Sequence, residues 1–169
     1  MRSDRYYLEM AMSEAEQASR DGTFPIGAVI VGAEDQVLSS GRNRVYSQDD
    51  YTCHAEIDAI RQAGRLLMAK PHFKAAVLYT TAEPCLMCAG AIVMANISRV
   101  VWVMDDDYYG AMRHQHSGPR YPEHFTHIAI TRTPERDLEA RMHELMAEWA
   151  LRQGHHNSPW LHNHVNKTE

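Results

Sequence analysis

Four residues of the types that bind metals or carry protons lie at two places in the 169-residue chain. His54 and Glu56 are separated by one residue, and Cys85 and Cys88 form a CxxC pair that begins 31 positions after the histidine. Zinc binds imidazole nitrogen and thiolate sulfur, and a CxxC pair at the start of a helix turns both sulfurs towards one point. The spacing therefore predicts a zinc site held by His54, Cys85 and Cys88, with one Zn²⁺ per chain.

Glu56 is expected to carry protons rather than to bind the metal. Three protein ligands leave the fourth position of zinc open, which is typical of catalytic sites that activate water. Glu56 lies two residues after His54, too far around a helix to chelate beside it but near enough to reach water and a substrate. We interpret Glu56 as the group that takes a proton from water, passes it to a ring nitrogen and then protonates a leaving amine.

The same residues have other interpretations. A CxxC pair alone is typical of structural zinc half-sites and redox pairs, and Glu56 could be a solvated helix residue. Cys53 is either a packed small residue or a further ligand or nucleophile. An alternative of another class is a non-catalytic zinc-binding or RNA-binding module, although such a module would have no need of a proton carrier beside the metal.

Alternating strands and helices are expected to bring the two motifs together. The hydrophobic pattern predicts helices at 4–20, from 54 onwards, at 86–97 and at 137–152, and strands at 26–31, 36–40, 76–80, 100–104 and 128–131. Pro84 suits the first turn of the helix that begins with the cysteines. Residues 86–97 are apolar on every face, which predicts a helix buried on both sides. The order of elements predicts an α/β fold with three layers, α-β-α, around a central sheet of about five strands.

Length and charge limit the function classes. A chain of 169 residues with a net charge of −5 and 44% hydrophobic residues predicts one zinc-dependent domain at 1–154 and a His-rich and Asn-rich tail at 155–169. There is no apolar stretch long enough to span a membrane and no signal-peptide core, and three cysteines fit a reducing compartment, so we expect a cytoplasmic protein. The charge favours a small substrate over nucleic acid, although a local basic patch could form from Arg42, Arg44, Arg113 and Arg120.

These motifs together resemble the cytidine deaminase superfamily, whose signature is H-x-E followed by P-C-x-x-C. The similarity extends from Phe24 to Val101, and within the superfamily the chain is similar to tRNA adenosine deaminases, guanine deaminases and fungal-type cytosine deaminases. The resemblance implies a cytidine-deaminase-like fold and a homodimer. It also implies that Asn43 hydrogen-bonds the base or its sugar, that the backbone of Ala55 helps to fix the ring, and that Phe24 lines the pocket.

Residues outside the signature suggest two substrate classes. The length of the segment 110–127 and the Glu83-Pro-Cys stretch are similar to tRNA deaminases, but the C-terminal helix and tail lack clustered Lys and Arg, and Leu86 stands where those enzymes usually have Pro. We therefore favour the release of ammonia from an amino-substituted nucleobase or related heterocycle, as in guanine or cytosine deaminases. Adenosine-to-inosine deamination of tRNA is the alternative.

The C-terminal tail bears on the same choice. Trp160 resembles the C-terminal Trp that closes the pocket over a free base in fungal-type cytosine deaminases, so the tail is a candidate pocket lid. Asn163 stands where those enzymes have an acid that contacts the ring, and an amide could suit a differently substituted ring. Trp160 and Phe24 could each instead be ordinary hydrophobic packing residues.

Overall fold

The structure is a computed structural model that describes residues 2–114, 126, 128–132 and 135–155. Its helices are α1 (Asp4–Arg20), α2 (Ala55–Ala63), α3 (Arg65–Met68), α4 (Leu86–Met94) and α5 (Arg136–Arg152), with a 3-10 turn at Met112–His114. Its strands are β1 (Gly27–Val31), β2 (Val37–Arg42), β3 (Val77–Ala82), β4 (Arg99–Met104) and β5 (Ala129–Arg132). Trp160, Asn163 and the tail beyond residue 155 lie outside the described residues.

The five described strands form one mixed sheet in the order β2-β1-β3-β4-β5. β1 runs antiparallel to both β2 and β3, whereas β3, β4 and β5 are parallel to one another. The predicted sheet of about five strands is confirmed, and β1 and β2 form a hairpin within it.

Helices cover both faces of this sheet. On one face α1 and α5 pack over a core that includes Tyr7, Leu8 and Met142. On the other face α2 and α4 pack over a core that includes Ile92 and Trp102. The predicted three-layer α-β-α architecture is confirmed, and none of the described helices is long and apolar enough to cross a membrane.

The prediction that residues 86–97 form a helix buried on both sides is wrong for this chain. α4 ends at Met94, and Cys88, Ala89 and Ile92 face the core. On the outer side Leu86 and Met94 are 62% and 82% exposed. Because both sides of the helix are apolar, the sequence pattern could not distinguish the side that packs from the side that does not.

β2 continues two residues past the predicted end of its strand, into the segment expected to be a loop. At Gly41 a Cβ atom would lie 2.5 Å from the carbonyl oxygen of Ala55 and 2.4 Å from the amide nitrogen of Ala59. The glycine therefore lets the strand approach the backbone of α2 closely, and it is required by packing rather than by a turn. This contact holds the start of α2 against the sheet.

Candidate metal centre and active site

Two helix N-termini carry the predicted metal ligands. His54 is the N-cap of α2 and Cys85 is the N-cap of α4, and both have extended backbone angles (φ −76°, ψ 157° and φ −70°, ψ 174°). Neither side chain makes a capping hydrogen bond, although an N-cap side chain often accepts one from the first turn. The imidazole and the thiol are therefore available for a metal, and Cys88 lies one turn further along α4.

The three ligand atoms are spaced as zinc requires. The metal-binding atoms of His54, Cys85 and Cys88 all lie within 4.8 Å of one another, and Nδ1 of His54 is 3.6 Å from each sulfur. In a tetrahedral zinc site with the usual bond lengths, nitrogen and sulfur are separated by roughly 3.6 Å. These residues can hold a zinc ion, as the sequence predicts.

Hydrogen bonds within the triad favour a thiolate at Cys85. The thiol of Cys88 and the imidazole of His54 both interact with the Cys85 sulfur and lower its pKa to about 4, with the Cys88 hydrogen bond as the larger cause. The pKa of Cys88 is correspondingly raised by this hydrogen bond and by burial. The hydrogen bond with Cys85 raises the pKa of His54. Both sulfurs lie in the first turn of α4, where the helix dipole favours negative charge.

Glu56 lies beside the triad in a nearly sealed position. Its residue is 3% exposed, and its Oε2 is 3.4 Å from the Cys88 sulfur. The hydroxyl of Thr80 lies 3.5 Å from its Oε1 and can donate to it. Burial is the main cause that raises the pKa of Glu56. A carboxyl group whose pKa is raised above its usual range is suited to proton transfer.

His54, Cys85 and Glu56 line a cavity of about 410 Å³, a size usual for small-molecule sites. Its walls are mainly apolar and aromatic, from Phe24, Tyr46, Tyr51, Tyr109 and Met146 among others. The polar residues along its walls include Asn43, Glu83 and Asp106. An apolar pocket with a few converging polar groups suits a planar heterocycle.

Three of the four predicted substrate contacts lie at this cavity. Phe24, Asn43 and Ala55 all line it. The side-chain oxygen of Asn43 accepts hydrogen bonds from the Thr23 hydroxyl at 2.6 Å and from the Val45 backbone N–H at 3.1 Å. Asn43 therefore supports the turn after β2 as well as facing the cavity. The binding roles of these residues stay predictions, and Trp160 lies outside the described residues.

Trp149 is buried, and its ring supports the pocket wall. Its ring centroid lies 4.2 Å from that of Phe24. The ring of Tyr46 in turn stacks on Phe24, with the centroids 5.4 Å apart. Trp149 comes from α5, more than a hundred residues further along the chain. The helix predicted at 137–152 gives no indication of these neighbours.

Asp106 and Glu83 were not predicted as part of the site. The acidic run at 105–107 has the composition of a solvated loop, but Asp106 is 9% exposed and lines the cavity. Glu83 has a fully buried side chain that pairs with Arg113 at 2.6 Å. A run of three aspartates carries no periodicity that tells which one turns inwards, so the sequence held no signal for Asp106.

Cys53 is packed away from the metal ligands. Its sulfur is 3.2 Å from both Oε1 of Gln48 and Oδ2 of Asp50, and the residue is 5% exposed. It does not belong to the group of His54, Cys85 and Cys88. This agrees with the packed interpretation rather than with a fourth protein ligand.

Curated relatives include deaminases of two kinds. The chain is 40% identical over 99 residues to the tRNA-specific adenosine deaminase of Buchnera aphidicola, a match that covers 59% of this chain and spans 64% of that protein's length. It is 34% identical over 107 residues to the cytosine deaminase of Candida albicans, covering 63% of this chain and 70% of the relative.

Two solved structures share the fold of this chain. A structure from studies of A-to-I editing by tRNA:A34 deaminases matches with a TM-score of 0.63 and 35% identity, covering 76% of this chain and 98% of that one. The guanine deaminase of Nitrosomonas europaea has the same fold, with a TM-score of 0.71 at 20% identity over 89% of this chain and 86% of that one.

Residues 1–104 match the family described as the cytidine and deoxycytidylate deaminase zinc-binding region. The matched range contains the whole triad and Glu56. The enzyme class predicted from the signature is therefore confirmed at the level of the family. This chain belongs to the cytidine and deoxycytidylate deaminase zinc-binding family, whose members are hydrolytic enzymes acting on C–N bonds.

Proposed function

We propose that this protein is a zinc-dependent hydrolytic deaminase that releases ammonia from an amino-substituted nucleobase or a related heterocycle. The observation that carries the proposal is the convergence of His54, Cys85 and Cys88 beside the buried Glu56, at a cavity of about 410 Å³. When bound, zinc supplies Lewis-acid activation of water at neutral pH.

The protein's own residues perform the proton transfers. Glu56 accepts a proton as water adds to the ring carbon that bears the amine, and it delivers this proton to the adjacent ring nitrogen. Glu56 next takes the proton of the newly added hydroxyl group and gives it to the amine, so the C–N bond breaks, ammonia leaves, and the C–O bond becomes a carbonyl. Positioned acid-base assistance of this kind contributes about 10²- to 10⁴-fold to the rate. The apolar walls of the cavity limit the access of bulk water to Glu56.

Charge near the cavity favours a small substrate. Arg42 pairs with Glu14 at 3.0 Å, Arg44 pairs with Asp58 at 3.1 Å, and Arg113 pairs with Glu83. These are three of the four arginines that could have formed a basic patch, and Arg120 lies outside the described residues. An arginine that is already paired with a carboxylate contributes less to phosphate binding.

Deamination of adenosine in tRNA is the second candidate. Tyr51 and Tyr109 line the cavity although they are 84% and 73% exposed, so their rings could stack on bases that flank an extruded nucleotide. The relatives from Buchnera aphidicola and from the A-to-I editing studies favour the same substrate.

One screen separates the two candidates. Ammonia release is measured with free bases, nucleosides, aminated triazines and pterins, and inosine formation is measured in parallel on tRNA with the same zinc-loaded protein. We expect turnover of at least one small heterocycle. Turnover of tRNA alone would overturn the small-substrate proposal in favour of the second candidate.

We also propose a homodimer, as the family resemblance implies, with a second copy covering the exposed apolar side of α4. Leu86 and Met94 lie about two turns apart on this side, and both are unusually exposed for large apolar residues. The cytoplasmic location, the domain limits 1–154 and the role of the tail at 155–169 as a pocket lid stay predictions.

A further inference from the structure

A second carboxylate, besides Glu56, lies at the cavity. Asp106 follows β4 by two residues, and it lines the cavity while only 9% of its surface is exposed. Only one oxygen of the Asp106 carboxylate accepts hydrogen bonds from the described residues. Oδ1 accepts the backbone N–H groups of Tyr108 at 2.9 Å and Tyr109 at 3.0 Å.

The other oxygen of this carboxylate, Oδ2, is the one with which a substrate could pair. Among the described residues no hydrogen bond reaches Oδ2 of Asp106, yet Oδ2 is not one of the unpaired side-chain atoms that are sealed from solvent. Because Asp106 is nine-tenths buried and lines the cavity, the cavity is the space from which a ligand can reach this oxygen. Water can solvate the oxygen while the cavity is empty, whereas a substrate that displaces this water without bringing a donor leaves the oxygen unpaired, which is costly.

Hydrogen bonds to the buried side chain of Glu83 hold the segment that carries Asp106 in place. The side chain of Glu83 is fully buried, and it accepts the backbone N–H and the Nε–H of Arg113 at 2.8 Å and 2.6 Å and the backbone N–H of Asp106 at 3.3 Å. A Cβ atom on Gly110 would lie 2.4 Å from Oε2 of Glu83, so this segment folds closely around the carboxylate. Because the segment is fixed, Asp106 cannot easily swing away from a substrate that lacks a donor.

We propose that Asp106 determines specificity by accepting a hydrogen bond from a ring N–H of the substrate, so that the cavity takes free amino-substituted bases and rejects derivatives in which that nitrogen carries a sugar or a methyl group. An ionised carboxylate only accepts hydrogen bonds, so it matches a ring N–H and opposes a ring nitrogen lone pair. This inference rests on the proposed function and narrows its substrate class.

The proposed hydrogen bond has a kinetic signature. The N–H in question is not the ring nitrogen that receives the proton from Glu56, so it is neither formed nor broken during the reaction. The interaction therefore stabilises the bound substrate and the transition state equally. Its loss should raise KM and leave kcat largely unchanged, which a general distortion of the site would not do.

Asp106→Asn is the most selective variant. The backbone N–H groups of Tyr108 and Tyr109 will hold the amide oxygen in the Oδ1 position, so the NH₂ group must replace Oδ2 and present a donor to the cavity. The turn is kept while the acceptor is lost. Asp107→Asn is the matched control, because it makes the same chemical change one residue away, on a side chain that is 73% exposed.

The experiment compares matched substrate pairs: cytosine with 1-methylcytosine, guanine with 9-methylguanine and adenine with 9-methyladenine. For the pair that contains the substrate, we expect the parent protein and Asp107→Asn to prefer the free base by about 100-fold in kcat/KM. In Asp106→Asn this preference should fall to about 10-fold or less, through a higher KM, with zinc content unchanged. Any steric effect of the methyl group is present in all three proteins and cancels in the comparison.

The outcomes distinguish this inference from the function on which it rests. If free bases are turned over and Asp106→Asn keeps the preference of the parent protein, Asp106 has no such role and the proposed function stands. If calorimetry detects no binding of any free base while tRNA is converted, the inference and the small-substrate proposal fall together. A loss of zinc or a lower kcat at unchanged KM in Asp106→Asn would assign Asp106 a structural role and also overturn the inference.

Discussion

The sulfur of Cys88 lies 3.4 Å from Oε2 of the Glu56 carboxylate. The cysteine belongs to α4 and the glutamate to α2, so this contact joins the two helices at the point where the metal ligands meet. The proton carrier and the metal site are therefore one structural unit, although they come from segments about thirty residues apart. Replacements within this unit should have effects that can be separated by measuring zinc and activity independently.

Replacing the proton carrier should abolish activity without removing the metal. Glu56→Ala leaves all three ligands in place, so we expect about one zinc per chain by elemental analysis and a rate of ammonia release lowered by at least about 10²- to 10⁴-fold. Glu34→Ala, in the exposed turn between β1 and β2, is the control and should retain activity. Full activity in Glu56→Ala would refute the mechanism.

Removing one ligand should release the metal. Cys88→Ala deletes one of the two sulfurs that lie 3.6 Å from Nδ1 of His54, and a zinc ion held by only His54 and Cys85 is expected to dissociate on dialysis against a chelator. Cys53→Ala is the matched control because Cys53 is buried but contacts Gln48 and Asp50 instead. Equal zinc content in the two variants would contradict the assignment of ligands.

Trp149 should contribute both to the stability of the fold and to substrate affinity. Trp149→Ala removes a nearly buried ring that contacts Phe24, so we expect a loss of about 3–5 kcal/mol in the free energy of unfolding and a higher KM. Met142→Ala lies on the same helix, two turns away, and should lower stability by about 2–5 kcal/mol without changing KM. Denaturant unfolding measures the stability and steady-state kinetics measure KM. An equal rise of KM in both variants would contradict a specific role of Trp149 in supporting the substrate pocket.

The exposed side of α4 should determine the oligomeric state. Met94 is 82% exposed, so Met94→Glu should leave the fold of one chain intact while placing a charge within the proposed interface. We expect sedimentation to give a dimer for the parent protein and a monomer for this variant. Leu151→Glu, at another exposed apolar position on α5, should remain a dimer. A parent protein that is monomeric at micromolar concentration would exclude the dimer.

The ion pair between α1 and β4 should make stability depend on pH. Arg99 donates two hydrogen bonds to Asp4 at 2.8 Å and 2.6 Å, and they lower the pKa of Asp4. Since the pKa in the folded state lies below the unfolded value of about 3.9, this contribution is fully present above that pH and is lost as the pH falls through the folded-state pKa. Because the pair is partly exposed, Asp4→Asn should cost about 1 kcal/mol at pH 7 and progressively less below pH 4. Unfolding curves across this range measure the difference, and a constant difference would contradict the assignment.

The reaction chemistry could be predicted from the sequence because its residues are close together in two short segments. His54 and Glu56 are two residues apart, and the cysteines are one helical turn apart, so local geometry fixes each pair. The strands could be predicted because their runs of β-branched residues, such as β1, are closed by glycine and polar turns. Only the distance between the two segments had to be supplied by the fold.

The pocket wall could not be predicted, because its residues come from segments that meet only in three dimensions. Phe24, Asp106 and Trp149 belong to three separate parts of the chain, and no spacing in the sequence relates them. The exposure of the outer side of α4 could not be predicted for a different reason. Its residues are as apolar as those of the inner side, so the pattern carried no information on which side another surface covers.

The contact of residues 105–113 with Glu83 bears on how the substrate preference of this enzyme could change in evolution. The metal ligands lie on α2 and α4, whereas Asp106 and Arg113 lie on a segment that is held to the start of α4 by the Glu83 carboxylate and by backbone pairing of residues 110–111 with residues 84–85. Replacements in that segment can reshape the substrate wall while the ligands and Glu56 keep their positions. A lineage built on this fold can therefore acquire a preference for a new ring in a few mutational steps and inherit its reaction unchanged.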